Sequence, residues 1–183
     1  EATDDYFGHS VSIDSDTIVV SANEKGATDT GKIYVYKRSG TTWNLEHSIL
    51  GTVANDKIGE KVVVKGNVMA YSTSTHSENR GNVAIYNRSG SSWSKSEDIV
   101  GTKANEKIGK SLALDTNTLL IGNPDANTVF MYEYANSEWS RTEEFENTES
   151  VNFGSGIDID VANNKLVIGA DSDTCLLYTS DAA

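Results

Sequence analysis

A nine-residue peptide occurs twice, fifty residues apart: Gly51-Thr-Val-Ala-Asn-Asp-Lys-Ile-Gly59 and Gly101-Thr-Lys-Ala-Asn-Glu-Lys-Ile-Gly109. Seven of the nine positions are identical. Each unit of an array with that period is one supersecondary block, too small to bury its apolar face alone. The fold must therefore come from units packed side by side, and function must be sought on the surfaces they share.

Two landmarks keep the same register. Phe7-Gly8, Ile58-Gly59, Ile108-Gly109 and Phe153-Gly154 recur at intervals of 51, 50 and 45 residues. Trp43, Trp93 and Trp139 each follow a tyrosine (Tyr36, Tyr86, Tyr132) by seven positions. Between these marks every unit reads as short strands. Val11-Ser-Ile13, Val62–Val64, Leu112–Leu114 and Ile157–Ile159 are β-branched or alternating segments, which favours strand over helix. Ser15-Asp16, Gly66-Asn67 and Thr116-Asn117 then suit the positive φ of tight hairpins. Thr17–Val20, Val68–Tyr71, Leu119–Ile121 and Leu166–Ile168 are apolar without alternation, as expected of strands buried on both faces. Third strands at Ile33–Tyr36, Val83–Tyr86 and Val129–Tyr132 lead into a charged outer strand opened by the tryptophan. Charge there discourages edge pairing with other chains.

Four-stranded units of this length, packed face to face, predict an all-β fold: a β-propeller of antiparallel blades, about three and a half of them. The blades fall at about 4–54, 55–104, 105–149 and 150–183, the last incomplete, within one repeat array spanning 1–183. The Phe/Ile-Gly starts, the Val-Ile-Gly-Ala170 strand exit and Gly31-Lys-Ile-Tyr-Val-Tyr36 resemble FG-GAP repeats, the blades of integrin α-subunit propellers and of many secreted microbial proteins. That resemblance implies a ring of seven blades. Three and a half would leave apolar blade faces open, so missing blades are expected from further sequence or from other copies of the chain.

The formal net charge is -12. Nucleic acids and anionic membranes need basic patches, so both are excluded as partners. The longest apolar runs are too short to span a bilayer. Cys175 is the only cysteine, so no intramolecular disulfide forms. The chain opens on Glu1-Ala-Thr-Asp-Asp5 without Met, and a processed product or fragment is expected. Residues 175–183 read like a translated cloning adapter, and non-native read-through is the expectation there.

The resemblance also brings calcium into view, because integrin-type blades hold it in an Asp-rich loop between first and second strands. Two-residue turns in three units leave no room for such a loop. Only the fourth unit has a longer turn, where Asp158, Asp160 and Asn163 (or Asn164) form a candidate Ca2+ site. Asn23, Glu24 and Asp29 form a weaker cation candidate. Asn87-Arg88-Ser89 is a glycosylation sequon, read as opening an exposed hairpin turn. The loops between second and third strands differ from unit to unit and suit recognition on a rigid scaffold. His9, His47 and His76 sit at different repeat positions, and no nucleophile elbow or phosphate loop occurs, so no catalytic residues are assigned. The expected function is non-catalytic: a secreted or cell-surface repeat protein binding a protein or glycan ligand through its loop face. The alternatives are a subunit of an extracellular fibre joined head to tail, and an accessory propeller of a secreted hydrolase.

Overall fold

The computed structural model describes residues 5–26, 28–149, 151–163 and 165–171, together with the backbone of Leu176–Asp181. Four antiparallel sheets follow one another along the chain. Blade 1 comprises β1 (Phe7–Asp14), β2 (Thr17–Ala22), β3 (Lys32–Ser39) and β4 (Thr42–Leu50). Blade 2 comprises β5 (Val62–Lys65), β6 (Val68–Thr73), β7 (Asn82–Ser89) and β8 (Ser92–Val100). Blade 3 comprises β9 (Ser111–Asp115), β10 (Thr118–Asn123), β11 (Thr128–Ala135) and β12 (Glu138–Glu146). Blade 4 has three strands, β13 (Phe153–Asp160), β14 (Lys165–Ala170) and β15 (Leu176–Asp181). The sheets close into no barrel and form a partial propeller of about three and a half blades.

The expected turns recur. Asp14 pairs with Thr17, Lys65 with Val68 and Asp115 with Thr118, leaving two-residue loops. Ser15, Gly66 and Thr116 hold positive φ in them. As the apolar runs implied, β2, β6 and β10 are buried along almost their whole length. The core is not inside any sheet but between sheets. One apolar cluster joins Val19, Ile33 and Val35 of blade 1 to Val62, Val64, Met69 and Trp93 of blade 2. A second joins Ala70, Val83 and Ile85 to Leu119, Ile121, Phe130 and Trp139. A third joins Leu120 and Val129 to Phe153, Leu166 and Ile168. Three seams thus hold four blades.

The repeated peptide is the crossover between one blade's outer strand and the next blade's inner strand. It lies on the preceding blade's loop between second and third strands. Asn55, Lys57 and Ile58 donate backbone N–H bonds to the carbonyls of Thr28, Asp29 and Thr30. Asn105, Lys107 and Ile108 do the same to Glu78, Asn79 and Arg80. Asn55 and Asn105 take φ of 62° and 61°, a region asparagine tolerates better than most residues. The closing glycine is required by contact as well as by φ. A Cβ on Gly59, at φ +91°, would stand 2.5 Å from the Ser21 Cβ of blade 1. On Gly109 it would stand 2.6 Å from the Ser72 Cβ. The Phe/Ile-Gly landmark therefore marks where one blade's backbone closes on its neighbour.

Candidate functional site

The second-to-third-strand loops and the crossovers share one end of the blades, and there the first seam opens into a cleft of about 340 Å3. Its floor is one face of blade 2. The register places Tyr71, Ala84 and Asp98 in one row across β6, β7 and β8, with Thr73, Asn82 and Val100 in the next. Ile49 and Leu50 of β4 and the crossover residues Thr52, Val53 and Asp56 wall the other side. Between Tyr71 and Asp98 in that row, Ala84 is small and fully buried. Tyr34 in blade 1 and Phe130 in blade 3 occupy the register position that Ala84 holds here.

The lining is polar and incompletely satisfied. Thr73 Oγ1 and Asn82 Oδ1 are buried without a hydrogen-bond partner among the described residues. Asn82 Nδ2 donates to Asp98 Oδ1 at 3.2 Å, and Lys95 pairs with the other oxygen of Asp98 at 2.5 Å. At the rim, His76 Nδ1 lies 2.8 Å from Asp56 Oδ2. Tyr71 and Tyr86 pack with ring centroids 5.8 Å apart. Burial, aided by its Tyr86 neighbour, drives the Tyr71 phenol far above its ordinary range, so it stays neutral at any physiological pH. The arrangement offers hydroxyl and amide groups and an aromatic wall, with its carboxylates already tied.

Beneath the cleft, Trp93 Nε1 donates to Glu46 Oε2 at 3.0 Å, and Arg88 Nη2 pairs with Glu46 Oε1 at 2.5 Å. Glu46 stands at the bulge of β4, opposite no single residue of β3, and the bulge aims it across the seam. Sequence periodicity reads the tryptophans as packing residues. The carboxylate that anchors Trp93 is invisible to it, because a one-residue bulge leaves no periodic mark.

Asp158 and Asp160 lie on the inner strand of blade 4, facing a second cavity of about 500 Å3 lined by all four inner strands. Asp160 accepts from the backbone N–H and the side-chain amide of Asn163, at 3.2 and 2.6 Å. Asp158 Oδ1 accepts from Ile159 N–H. Among the described residues no three acidic, histidine or cysteine side chains gather as metal ligands. Asn164, Asp173 and Cys175 lie outside the described residues. Glu24 and Asp29 both meet the Lys57 ammonium, at 2.5 and 3.8 Å, so a side-chain cation stands where a metal ion was the expectation. Asn87 is half-buried within β7, paired to Val68 and Ser94, ahead of the turn and not in it.

These features define a class: a repeat protein of four-stranded propeller blades. The family model for the FG-GAP repeat matches residues 1–36, which run from before the first blade through Tyr36. The match takes in the first three strands of blade 1 almost to the end of β3, and the sheets that follow repeat the antiparallel four-stranded architecture of that blade. No curated protein sequence matches the chain. No described helix is long and apolar enough to cross a membrane.

Proposed function

We propose that the chain is a non-catalytic recognition protein of the cell exterior, and that it binds a glycan or other polyhydroxyl ligand in the first-seam cleft. The observation that carries this reading is the pair of buried, unpartnered oxygens, Thr73 Oγ1 and Asn82 Oδ1, side by side on the cleft floor. An unmet buried polar group costs about 1–3 kcal/mol, and a ligand hydroxyl placed there removes that cost. The volume falls in the ~300–1,000 Å3 range of small-ligand sites. Tyr71 and Tyr86 supply the apolar wall that sugar C–H groups need beside such polar contacts. Asp98, held by Lys95 and Asn82, and Asp56, held by His76, serve as fixed acceptors and not as proton-transfer groups. FG-GAP repeats are typical of extracellular proteins, which supports an extracellular or cell-surface setting.

A glycan array followed by calorimetry on the best hits tests the reading. Ala84→Phe should abolish binding by filling the floor, and Thr73→Val should weaken it roughly tenfold while the fold persists. Binding that survives Ala84→Phe unchanged would place the ligand elsewhere.

A further inference from the structure

The two copies of the repeated peptide differ at two positions, Val53 against Lys103 and Asp56 against Glu106. In the first copy both of these residues line the first-seam cleft. The outer strands differ in the same sense. Leu50 and Val100 end β4 and β8 and line the cleft, whereas at the second seam those two places fall to Val100 and Glu146. The first seam thus carries Leu50, Val53 and Val100 at its mouth, where the second carries Val100, Lys103 and Glu146. Leu50, Val53 and Val100 are 58%, 49% and 44% exposed. Large apolar side chains held in water around one cavity mark a surface for an apolar group.

The floor specifies something different. A carboxylate only accepts, so Asn82 turns its Nδ2 to Asp98 Oδ1, and this fixes Oδ1 as the unpartnered end of the amide. Asn82 Oδ1 therefore needs a donor. Thr73 Oγ1, on the register partner of Asn82 and 98% buried, can give or take a proton. One hydroxyl meets both, donating to Asn82 and accepting from Thr73. A ligand carboxylate has no proton to give at neutral pH and leaves Asn82 unmet. Asp56 and Asp98 line the same space, and the Lys95 ammonium is already held by Asp98, so an anion is further disfavoured. Val100 stands next to Asn82 in the same row. The hydroxyl position and the apolar lip are therefore neighbours, and one small molecule reaches both.

We infer that the cleft takes a neutral glycoside carrying an apolar aglycone. A ring hydroxyl seats between Thr73 and Asn82, and the aglycone leaves across Leu50, Val53 and Val100. The inference rests on the reading of this cleft as a glycan site and adds the ligand's charge and its apolar half. It also separates the two seams: the charged mouth of the second would reject the same molecule.

Calorimetry with methyl and hexyl β-glycosides of glucose, galactose, mannose and N-acetylglucosamine, and with methyl β-glucuronide, tests it. The hexyl form of a sugar that binds should bind roughly tenfold tighter or more than its methyl form, because the longer chain buries methylene groups on the lip. The glucuronide should bind at least about tenfold more weakly than methyl β-glucoside. Val53→Lys combined with Val100→Glu gives the first seam the residues of the second. Both side chains are exposed, so circular dichroism should be unaltered, and the hexyl-to-methyl affinity ratio should fall to within about twofold. Thr73→Val should weaken both forms alike and keep the ratio. A wild-type ratio within about twofold, or a panel in which no hexyl glycoside binds, overturns the inference, while a positive glycan array keeps the broader reading of the cleft. So does a glucuronide that binds as well as the glucoside, or a ratio that survives the double variant. An empty array together with an unbound panel overturns both.

Discussion

The first and second seams join blades of the same strand order and register, yet they are filled differently. In the first, where the small Ala84 holds this register position, the seam opens into a cleft, and Glu46 links Arg88 to Trp93. In the second, Phe130 occupies the position of Ala84, with Arg141 over its ring at 5.1 Å. There Tyr134 replaces Arg88 and packs on Trp139 at 5.4 Å. Trp139 Nε1 is left buried without a partner among the described residues. Ser96 explains the loss: it takes the bulge position of Glu46, and its short hydroxyl turns back to the Ile85 carbonyl of its own blade. One seam is closed by apolar volume and the other by a polar tie beneath an open cleft. A propeller scaffold permits both, because the backbone contacts around the crossovers are the same.

The largest expected effect is on the apolar seam. Phe130→Ala should lower unfolding free energy by about 3–5 kcal/mol in urea titration, since it removes an aromatic ring from between two sheets. A loss under ~1 kcal/mol would mean that the second seam does not carry that packing. Next comes the polar tie. Glu46→Ala leaves Arg88 and Trp93 Nε1 buried and unpaired and should cost about 2–4 kcal/mol. Glu97→Ala removes only the acceptor for the Trp139 backbone N–H, at 3.2 Å, and should cost about 1 kcal/mol. Equal losses for the two glutamates would erase the distinction between the seams.

Glycine substitution sharpens the same comparison at blade starts. Gly8→Ala and Gly59→Ala both force alanine to positive φ, near +92° and +91°. That strain costs about 1–2 kcal/mol at either site. Only Gly59→Ala also drives a methyl group into Ser21 and Ile33, so it should be worse by a further ~1–3 kcal/mol. Matching melting temperatures for the two variants would contradict the close approach at the first seam.

Acid titration probes Asp115 of blade 3, which is tied across the second seam to Lys65 and across the third to Val161. Burial alone would raise the pKa of Asp115. The Val161 N–H, the Lys65 ammonium and the Thr116 hydroxyl outweigh it and hold the carboxyl below its ordinary value. A group depressed in this way adds stability that is fully present above its unfolded value, near ~4, and is lost as pH falls through the lower folded value. Asp115→Asn should therefore flatten the acid limb of the melting curve below about pH 4 and lower stability above it. An unchanged acid limb would show that the Asp115 bridge is not formed in solution.

The strands, their order and the crossover were legible in the sequence because burial imposes periods. Paired faces repeat every second residue, and blades repeat near every fiftieth. Val62, Val64, Leu119 and Ile121 all fall where that pattern puts them. The cleft was not legible, because no motif marks it: its lining is gathered from β4, the crossover and three strands of blade 2. Nor was the role of Glu46 visible, since a bulge breaks the alternation that would reveal which way its side chain points. Lys57 was hidden for a related reason. Charge along the sequence shows Glu24 and Asp29 as a cluster, and only the folded crossover brings the ammonium 33 residues away to meet Glu24.

The finest test transfers the polar tie from the first seam to the second. Ser96→Glu alone places a carboxylate near Trp139 Nε1 without the arginine that balances it at Glu46, so it should destabilise. Tyr134→Arg alone loses the ring contact with Trp139 and leaves a guanidinium unpaired. Together they rebuild the Glu46–Arg88–Trp93 arrangement one blade further on. The double variant should recover about 1–2 kcal/mol over the sum of the single losses, read as a coupling energy in a double-mutant cycle. Positive coupling means that the seam geometry is shared and that side-chain identity alone sets how each seam is held. If the coupling is zero within error, the bulges of β4 and β8 do not aim their residues alike, and the two seams differ in backbone as well.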